Sequence, residues 1–366
     1  MPDLLKTSKA KLSRRTFLAG TAMAGVGSLA SPFVIPSIAQ EVLVVNTQGG
    51  EYKEIVERTV IRPFEKKFGV KVTHDPTGTA AEDYAKIRAS RGAPGFDVAA
   101  TLTASEIILG AKENLLEKLS EREVPNIKYL WDKSATLTPP HGVVHTIQFS
   151  TVMYNKDKVE KPDSWADYWE PQKRYGDKIK GHVIAFHPNN LLSVYALIFA
   201  AQLGGGGTDN MDPAWQRLKD QKPYHGPVVT GSSEAVPYFE NGEVWIAPYW
   251  SARAGYYVDR GLPFGMVQPK EGVYGTADLA AIPVGGGNKK LAYEFLNFRL
   301  DKDVQRDFCL AYFGSPGRGD ITDWPKEFAA TQIVTSEQMN KLQFPDSEMI
   351  GKKRRDWTLR WQSVMG

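Results

Sequence analysis

Val42-Leu43-Val44-Val45, followed by Asn46-Thr47-Gln48-Gly49-Gly50, is a short β-branched apolar run that opens into a polar, glycine-containing loop. Such a run reads as a strand ending at a flexible turn. Downstream, Val56, Val60, Phe64 and Phe68 recur every four residues, which predicts an amphipathic helix kinked at Pro63. Gly69 stops that helix before a second strand, Val70 to Thr73. Strand, glycine loop, helix and strand make a βαβ unit. The pattern recurs, with Phe96-Asp97-Val98-Ala99-Ala100 as a buried strand and Ser105 to Lys112 as a helix capped by Ser105. This alternation predicts α/β layers with helices covering the sheet faces.

The middle of the chain reads as a second unit of the same kind. Val143 to Ile147 and Thr151 to Tyr154 are predicted strands, Ser164 starts a helix, His182 to Phe186 is a strand, and Leu191 to Leu203 is a long helix ended by Gly204 to Gly207. Val244 to Ala247 leads into Pro248-Tyr249-Trp250-Ser251, a strand whose end delivers two aromatics to a loop. In open α/β sheets ligands sit outside the carboxyl ends of strands, so this end is a candidate site. Ala280 to Val284 and the turn Gly285-Gly286-Gly287 precede Asn288, which caps a helix bearing Ala292, Phe295, Leu296 and Leu300.

Ahead of the first strand, Ser13-Arg14-Arg15-Thr16-Phe17-Leu18 precedes a weakly apolar Ala- and Gly-rich run that ends in Ser37-Ile38-Ala39. This is the pattern of a twin-arginine export signal over residues 1–39, so the mature chain is expected to begin near Gln40 in the periplasm. Polar residues and Pro32 and Pro36 interrupt the run too often for a membrane anchor. Residues 1–39 carry +4, so removing them takes the net charge from +3 to −1. A near-neutral surface gives no electrostatic reason for nucleic acid or an anionic membrane. The one basic run, Lys352-Lys353-Arg354-Arg355, reads as the solvated face of a C-terminal helix. The remaining 327 residues exceed one typical domain, so two lobes are expected. Cys309 is the sole cysteine, set among Phe308, Leu310 and Ala311, which excludes an internal disulfide and an all-cysteine iron–sulfur cluster and predicts a packed thiol.

The order of these features carries a resemblance: an exported signal, the first strand with its Gly loop, Phe96-Asp97-Val98 and Ser164-Trp165-Ala166-Asp167-Tyr168-Trp169. It continues through Pro269-Lys270-Glu271-Gly272, Asp278, Ile282-Pro283 and Ala292-Tyr293-Glu294-Phe295-Leu296-Asn297-Phe298. From about Val42 to Phe313 the chain resembles the polyamine-binding branch of the periplasmic solute-binding proteins that feed ABC importers. The resemblance implies an α/β, two-lobed clamshell with two crossovers between lobes: residues 41–147 and 275–318 in lobe 1, and 148–274 and 319–366 in lobe 2. It also implies a monomer that takes a small-molecule solute to a membrane permease, with no cofactor.

The same comparison marks departures. In polyamine binders the first-strand loop carries a Trp, the second-lobe helix start carries two acidic residues, and a Trp lies two positions before the late Asp. Here those positions are Thr47, His187-Pro188-Asn189-Asn190 and Thr276, while Asp278 and Trp250 are retained. A buried ammonium–carboxylate bond contributes roughly 1.5–3 kcal/mol, so losing two carboxylates disfavours a long diamine. Trp250 and Tyr249 offer aromatic faces for a cation, and Asp278 one countercharge. Arg253 would fork onto a carboxylate or phosphonate, supported by the N–H groups of Gly49 and Gly50. An ω-amino acid satisfies both. The candidate binding set is Thr47, Gly49, Gly50, Tyr52, Thr101, Thr103, Ser150, Thr151, Asn189, Tyr249, Trp250, Arg253, Thr276 and Asp278.

Two other classes compete. A ferric or phosphonate receptor of the same superfamily would use residues such as Tyr256-Tyr257, but that pair fits a helix face better, and His141 and His145 straddle Gly142 outside any helical metal motif. An exported enzyme would need a nucleophile or cofactor signature. Thr230-Gly231-Ser232-Ser233 lacks the Gly-x-Ser-x-Gly elbow, and Gly204 to Gly207 lacks the Lys-Ser/Thr of a phosphate loop.

Overall fold

The opening β-branched run forms β1 (Val42–Asn46), which pairs in parallel with β2 (Lys71–Asp75), Val42 facing Lys71 through to Asn46 facing Asp75. The computed structural model describes residues 41–76 and 79–366; the twin-arginine stretch and the Ser37-Ile38-Ala39 cleavage site lie outside them. Between the two strands the chain is α-helical over Glu51–Val56, π-helical over Glu57–Ile61 and α-helical again over Arg62–Phe68. Pro63 has no N–H to give the preceding turn, and the wider π turn absorbs the missing bond, so the expected kink takes the form of a local widening. Gly69 ends the helix at φ 68°, as predicted.

The remaining strands are β3 (Val98–Leu102), β4 (Val143–Asn155), β5 (Val183–Phe186), β6 (His225–Val229), β7 (Ile246–Trp250), β8 (Phe264–Val267), β9 (Gly275–Ala281) and β10 (Ser315–Pro316). They join in the order β2-β1-β3-β9-β4-β7-β5-β6, with β10 and β8 also paired to β4. The two strands expected at Val143–Ile147 and Thr151–Tyr154 are one 13-residue strand, buried throughout. Its polar middle does not break the ladder because Gln148 pairs with Thr276 and Ser150 with Trp250. Through Phe149 the strand pairs with β9, and from Ser150 onward with β7. The chain therefore crosses from one half-sheet to the other inside β4 and returns between β8 and β9.

Each half-sheet carries apolar layers. In the first, Leu43, Val45, Phe64, Phe295 and Phe308 pack in one cluster, and Ile87, Phe96, Leu102, Ile107 and Phe149 in another. In the second, Trp165, Phe199 and Trp215 pack in one cluster, and Phe186, Phe239, Tyr249 and Phe264 in another. The helix Leu191–Gln202 is buried on nearly all sides, which its unbroken apolar sequence requires. Cys309 sits in the first cluster, fully buried, and burial pushes its thiol pKa up.

Caps follow the sequence with one correction. Ser164 and Asn288 cap their helices as read, and Asn190 caps the helix that begins at Leu191. The helix after β3 is Ala104–Lys112 and its cap is Thr103, not Ser105, because Glu106 three residues on completes a capping box with Thr103.

Gly317 follows β10 at a close backbone approach: a Cβ there would stand 2.1 Å from the Val144 carbonyl oxygen. Gly317→Ala is expected to destabilise the protein by about 2 kcal/mol, read as a lowered urea midpoint at unchanged slope.

Candidate functional site

Within each half-sheet the parallel strands aim their carboxyl ends one way, β1 and β3 opposite in sense to β5 and β7, and these four ends supply polar loops. Thr47 to Glu51 follow β1, Thr103 to Glu106 follow β3, His187 to Asn190 follow β5, and Ser251 to Arg253 follow β7, which ends at Trp250. Two observations make them face one another across the half-sheets. Arg253 Nη1 lies 3.3 Å from Glu51 Oε2, and Arg354, held on the loop after β5, lies within electrostatic reach of Glu106. The seam between them is Phe149-Ser150 of β4 against Tyr274-Gly275, where Ser150 N–H donates to Tyr274 O at 2.9 Å.

At this seam Trp250 is partly exposed at the end of β7, braced edge-on by Tyr195 with centroids 5.9 Å apart. Asp278 lies on β9, 7 % exposed, and Gln148 Nε2 donates to its Oδ2 at 3.0 Å. Burial pushes its carboxyl up to about 6, against the pull of Gln148 and Arg299. Asp278 thus presents a buried carboxyl group with one amide donor, Gln148.

Behind it stands Arg299, 1 % exposed. Its Nη2 donates to Tyr52 Oη at 2.9 Å and to His145 Nδ1 at 3.1 Å, and its guanidinium lies 4.7 Å over the Phe308 ring. His145 therefore accepts at Nδ1 and donates from Nε2 to Ala100 O at 3.3 Å, which makes it a neutral structural histidine. Burial, then Arg299, holds its pKa well below the ordinary value.

The other expected residues divide. Thr47 is fully buried and its hydroxyl bonds His74 Nε2, whose Nδ1 bonds Glu57 at 2.9 Å. Thr101 donates to Asp83 at 2.6 Å, Thr103 caps its helix, and Thr151 donates to Tyr249 O at 3.1 Å. Ser150 Oγ accepts from Tyr274 N–H at 3.2 Å. Tyr249 is fully buried against Phe186 and Phe239, its hydroxyl donating to Ser232 O at 2.8 Å, so its ring offers no open face. Tyr52 is buried with its hydroxyl on Arg299. Gly49 and Gly50 remain on the loop, Gly50 at φ 64°, Thr276 is partly exposed beside Gln148, and the Asn189 carbonyl accepts from Arg354. Arg253 is committed to Glu51, and a cavity of about 10 Å³ between them and Tyr312 admits about one water. Tyr256 and Tyr257 lie on the helix Ser251–Asp259, and among the described residues no group of three His, Cys, Asp or Glu is placed to hold a metal.

Residues 59–335 match the family model described as bacterial extracellular solute-binding protein. The chain belongs to that family. A relative from Escherichia coli K12, named spermidine/putrescine-binding periplasmic protein, is 26% identical over 319 residues, covering 84% of each chain. The crystal structure of an extracellular solute-binding protein from Bordetella parapertussis superposes with a TM-score of 0.74 at 24% identity, covering 90% of this chain and all of that one. A GABA receptor superposes at 0.70 and 18%, covering 89% and 98%. These establish the periplasmic-binding-protein fold, an α/β clamshell of two lobes.

In this solute-binding protein, reading the sequence missed Glu51, Gln148, Arg299 and Arg354. Gln148 and Arg299 carry no local signal, because their partners lie 130 and 247 residues away in Asp278 and Tyr52. Arg354 did carry one: Ile350, Arg354, Trp357 and Trp361 fall on one helical face, and the three apolar members are buried.

Proposed function

We propose that this protein is the exported receptor of an ABC importer, closing around one small amine-bearing solute, polyamine-like or an ω-amino acid such as GABA, and delivering it to a membrane permease. The observation that carries the reading is that the partly exposed Trp250 ring and the buried Asp278 carboxylate both adjoin the middle of β4, Trp250 opposite Ser150 and Asp278 on the amide of Gln148. A desolvated cation gains about 2 kcal/mol from an aromatic face, and the carboxylate supplies its counter-ion. The names of the polyamine-binding relatives and of the GABA receptor support the same solute class.

In this reading the lobes are 41–147 with 275–346 and 148–274 with 347–366. The later boundary is preferred over 318 because Phe328, Ile333, Met339 and Leu342 pack with first-half residues, whereas Ile350, Trp357 and Trp361 pack with the second half. The solute touches both lobes only when they are closed, so binding shifts the population by its differential affinity. The receptor leaves the cytoplasm by the twin-arginine route, works as a monomer, performs no catalysis and has no nucleic-acid partner.

A thermal-shift screen of the mature chain against amines, ω-amino acids, phosphonates and ferric ion tests this: a ligand at 100 times its Kd stabilises by about 2.7 kcal/mol. An upward shift with amines or ω-amino acids supports the reading, and a shift only with ferric ion or phosphonate sinks it. Trp250→Ala is expected to weaken the amine about 30-fold, read by calorimetry, and unchanged affinity would remove the ring from the site.

A further inference from the structure

The basic run Lys352-Lys353-Arg354-Arg355 divides once its helix, Ser347–Met365, is folded. Lys352 pairs with Glu348 at 3.0 Å and Lys353 with Asp209 at 2.7 Å, both toward solvent. Arg354 instead reaches the loop after β5. Its Nε donates to Pro188 O at 3.0 Å and its Nη2 to Asn189 O, which fixes the guanidinium at the positive end of the helix Leu191–Gln202. Nη1 has no hydrogen bond and the group no ion pair among the described residues.

Glu106, across the cleft, attracts Arg354 through space but makes no contact ion pair with it, and its oxygens accept from the Thr103 N–H and from the Thr103 and Ser105 hydroxyls. A partly buried cation beside a second positive end, fixed by carbonyls and with no anion in contact, gains when an anion arrives at its free edge. Tyr195, within electrostatic reach of Arg354, packs on Trp250 and donates to Gly275 O at 3.2 Å, so this cation belongs to the same seam.

We propose that Arg354 recognises the acidic end of the solute, so that the site takes ω-amino acids and discriminates against diamines of the same length. This rests on the amine-receptor reading above. Arg354 selects by charge, which a residue that merely braces the loop would not do.

The test titrates 4-aminobutyrate and putrescine, matched in length and different at one end, into the wild type and into Arg354→Ala, Arg354→Gln and Arg354→Lys. The wild type is expected to prefer 4-aminobutyrate. Ala and Gln are expected to weaken it about 10- to 100-fold while putrescine holds or gains, and Lys is expected to keep the preference with a smaller loss. Lys also carries the comparison if the neutral variants unfold. Equal weakening of both ligands, an unchanged 4-aminobutyrate constant, or a wild type that prefers putrescine overturns the role of Arg354 and leaves the amine receptor standing. A wild type that binds neither ligand overturns both.

Discussion

Asp278→Asn is expected to raise the stability of the ligand-free protein at pH 8 by about 2–3 kcal/mol and, in the same variant, to weaken an amine by more than tenfold. Both effects come from one cause. Burial raises the Asp278 carboxyl from its ordinary 3.8 to about 6, so the folded state holds its proton more tightly than the unfolded chain. The contribution to stability is therefore complete below the unfolded value and is lost as pH rises through about 6. Two units correspond to about 3 kcal/mol, which a neutral amide of the same shape recovers above that window and not below it. Melts of wild type and variant at pH 8 and pH 4 check this: the gap is expected at pH 8 and closes at pH 4. A gap of equal size at both would show packing, not charge, to be its source. An amine that pairs with the carboxylate removes the strain on binding, a trade of stability for function.

Arg299→Met is expected to cost about 3–5 kcal/mol. Breaking a buried charge constellation from one side leaves its partners undercompensated: the Tyr52 hydroxyl loses its donor, His145 Nδ1 keeps only the Thr146 hydroxyl, and Asp278 loses the cation that lowers its pKa. Methionine fills most of the volume, so the loss is read as electrostatic. The double variant Arg299→Met with Asp278→Asn is expected to regain at least 1 kcal/mol of it, measured as a non-additive cycle in urea unfolding. Strict additivity would mean that the two groups do not communicate.

The fold was legible where local signals repeat. The β1 run, Gly69 as a helix stop, the caps at Ser164 and Asn288, and the strand ending at Trp250 all rest on features within a few residues of one another. The join inside β4 was not legible, because Gln148 and Ser150 interrupt an apolar pattern that only their distant partners Thr276 and Trp250 restore. For the candidate site, the carboxyl-end rule pointed to loops but not to which of their side chains turn outward. Thr47, Thr101 and Tyr249 bond inward to His74, Asp83 and Ser232, a choice made by neighbours on other elements. Arg354 was hidden by its company, since a run of four cations reads as solvent-facing until the Trp357 and Trp361 stripe sets the phase of the helix.

The central claim is that a small amine is held at the seam by Asp278, and calorimetric titration of the ligand-free mature protein with 4-aminobutyrate and putrescine from pH 8 to pH 5 tests it most directly. The ammonium of the solute stays charged over this window, so the account expects one-to-one binding of an amine whose affinity falls as pH drops through about 6 and whose pH dependence disappears in Asp278→Asn. No saturable binding of either amine, or an affinity flat in pH and indifferent to Asp278→Asn, would contradict it.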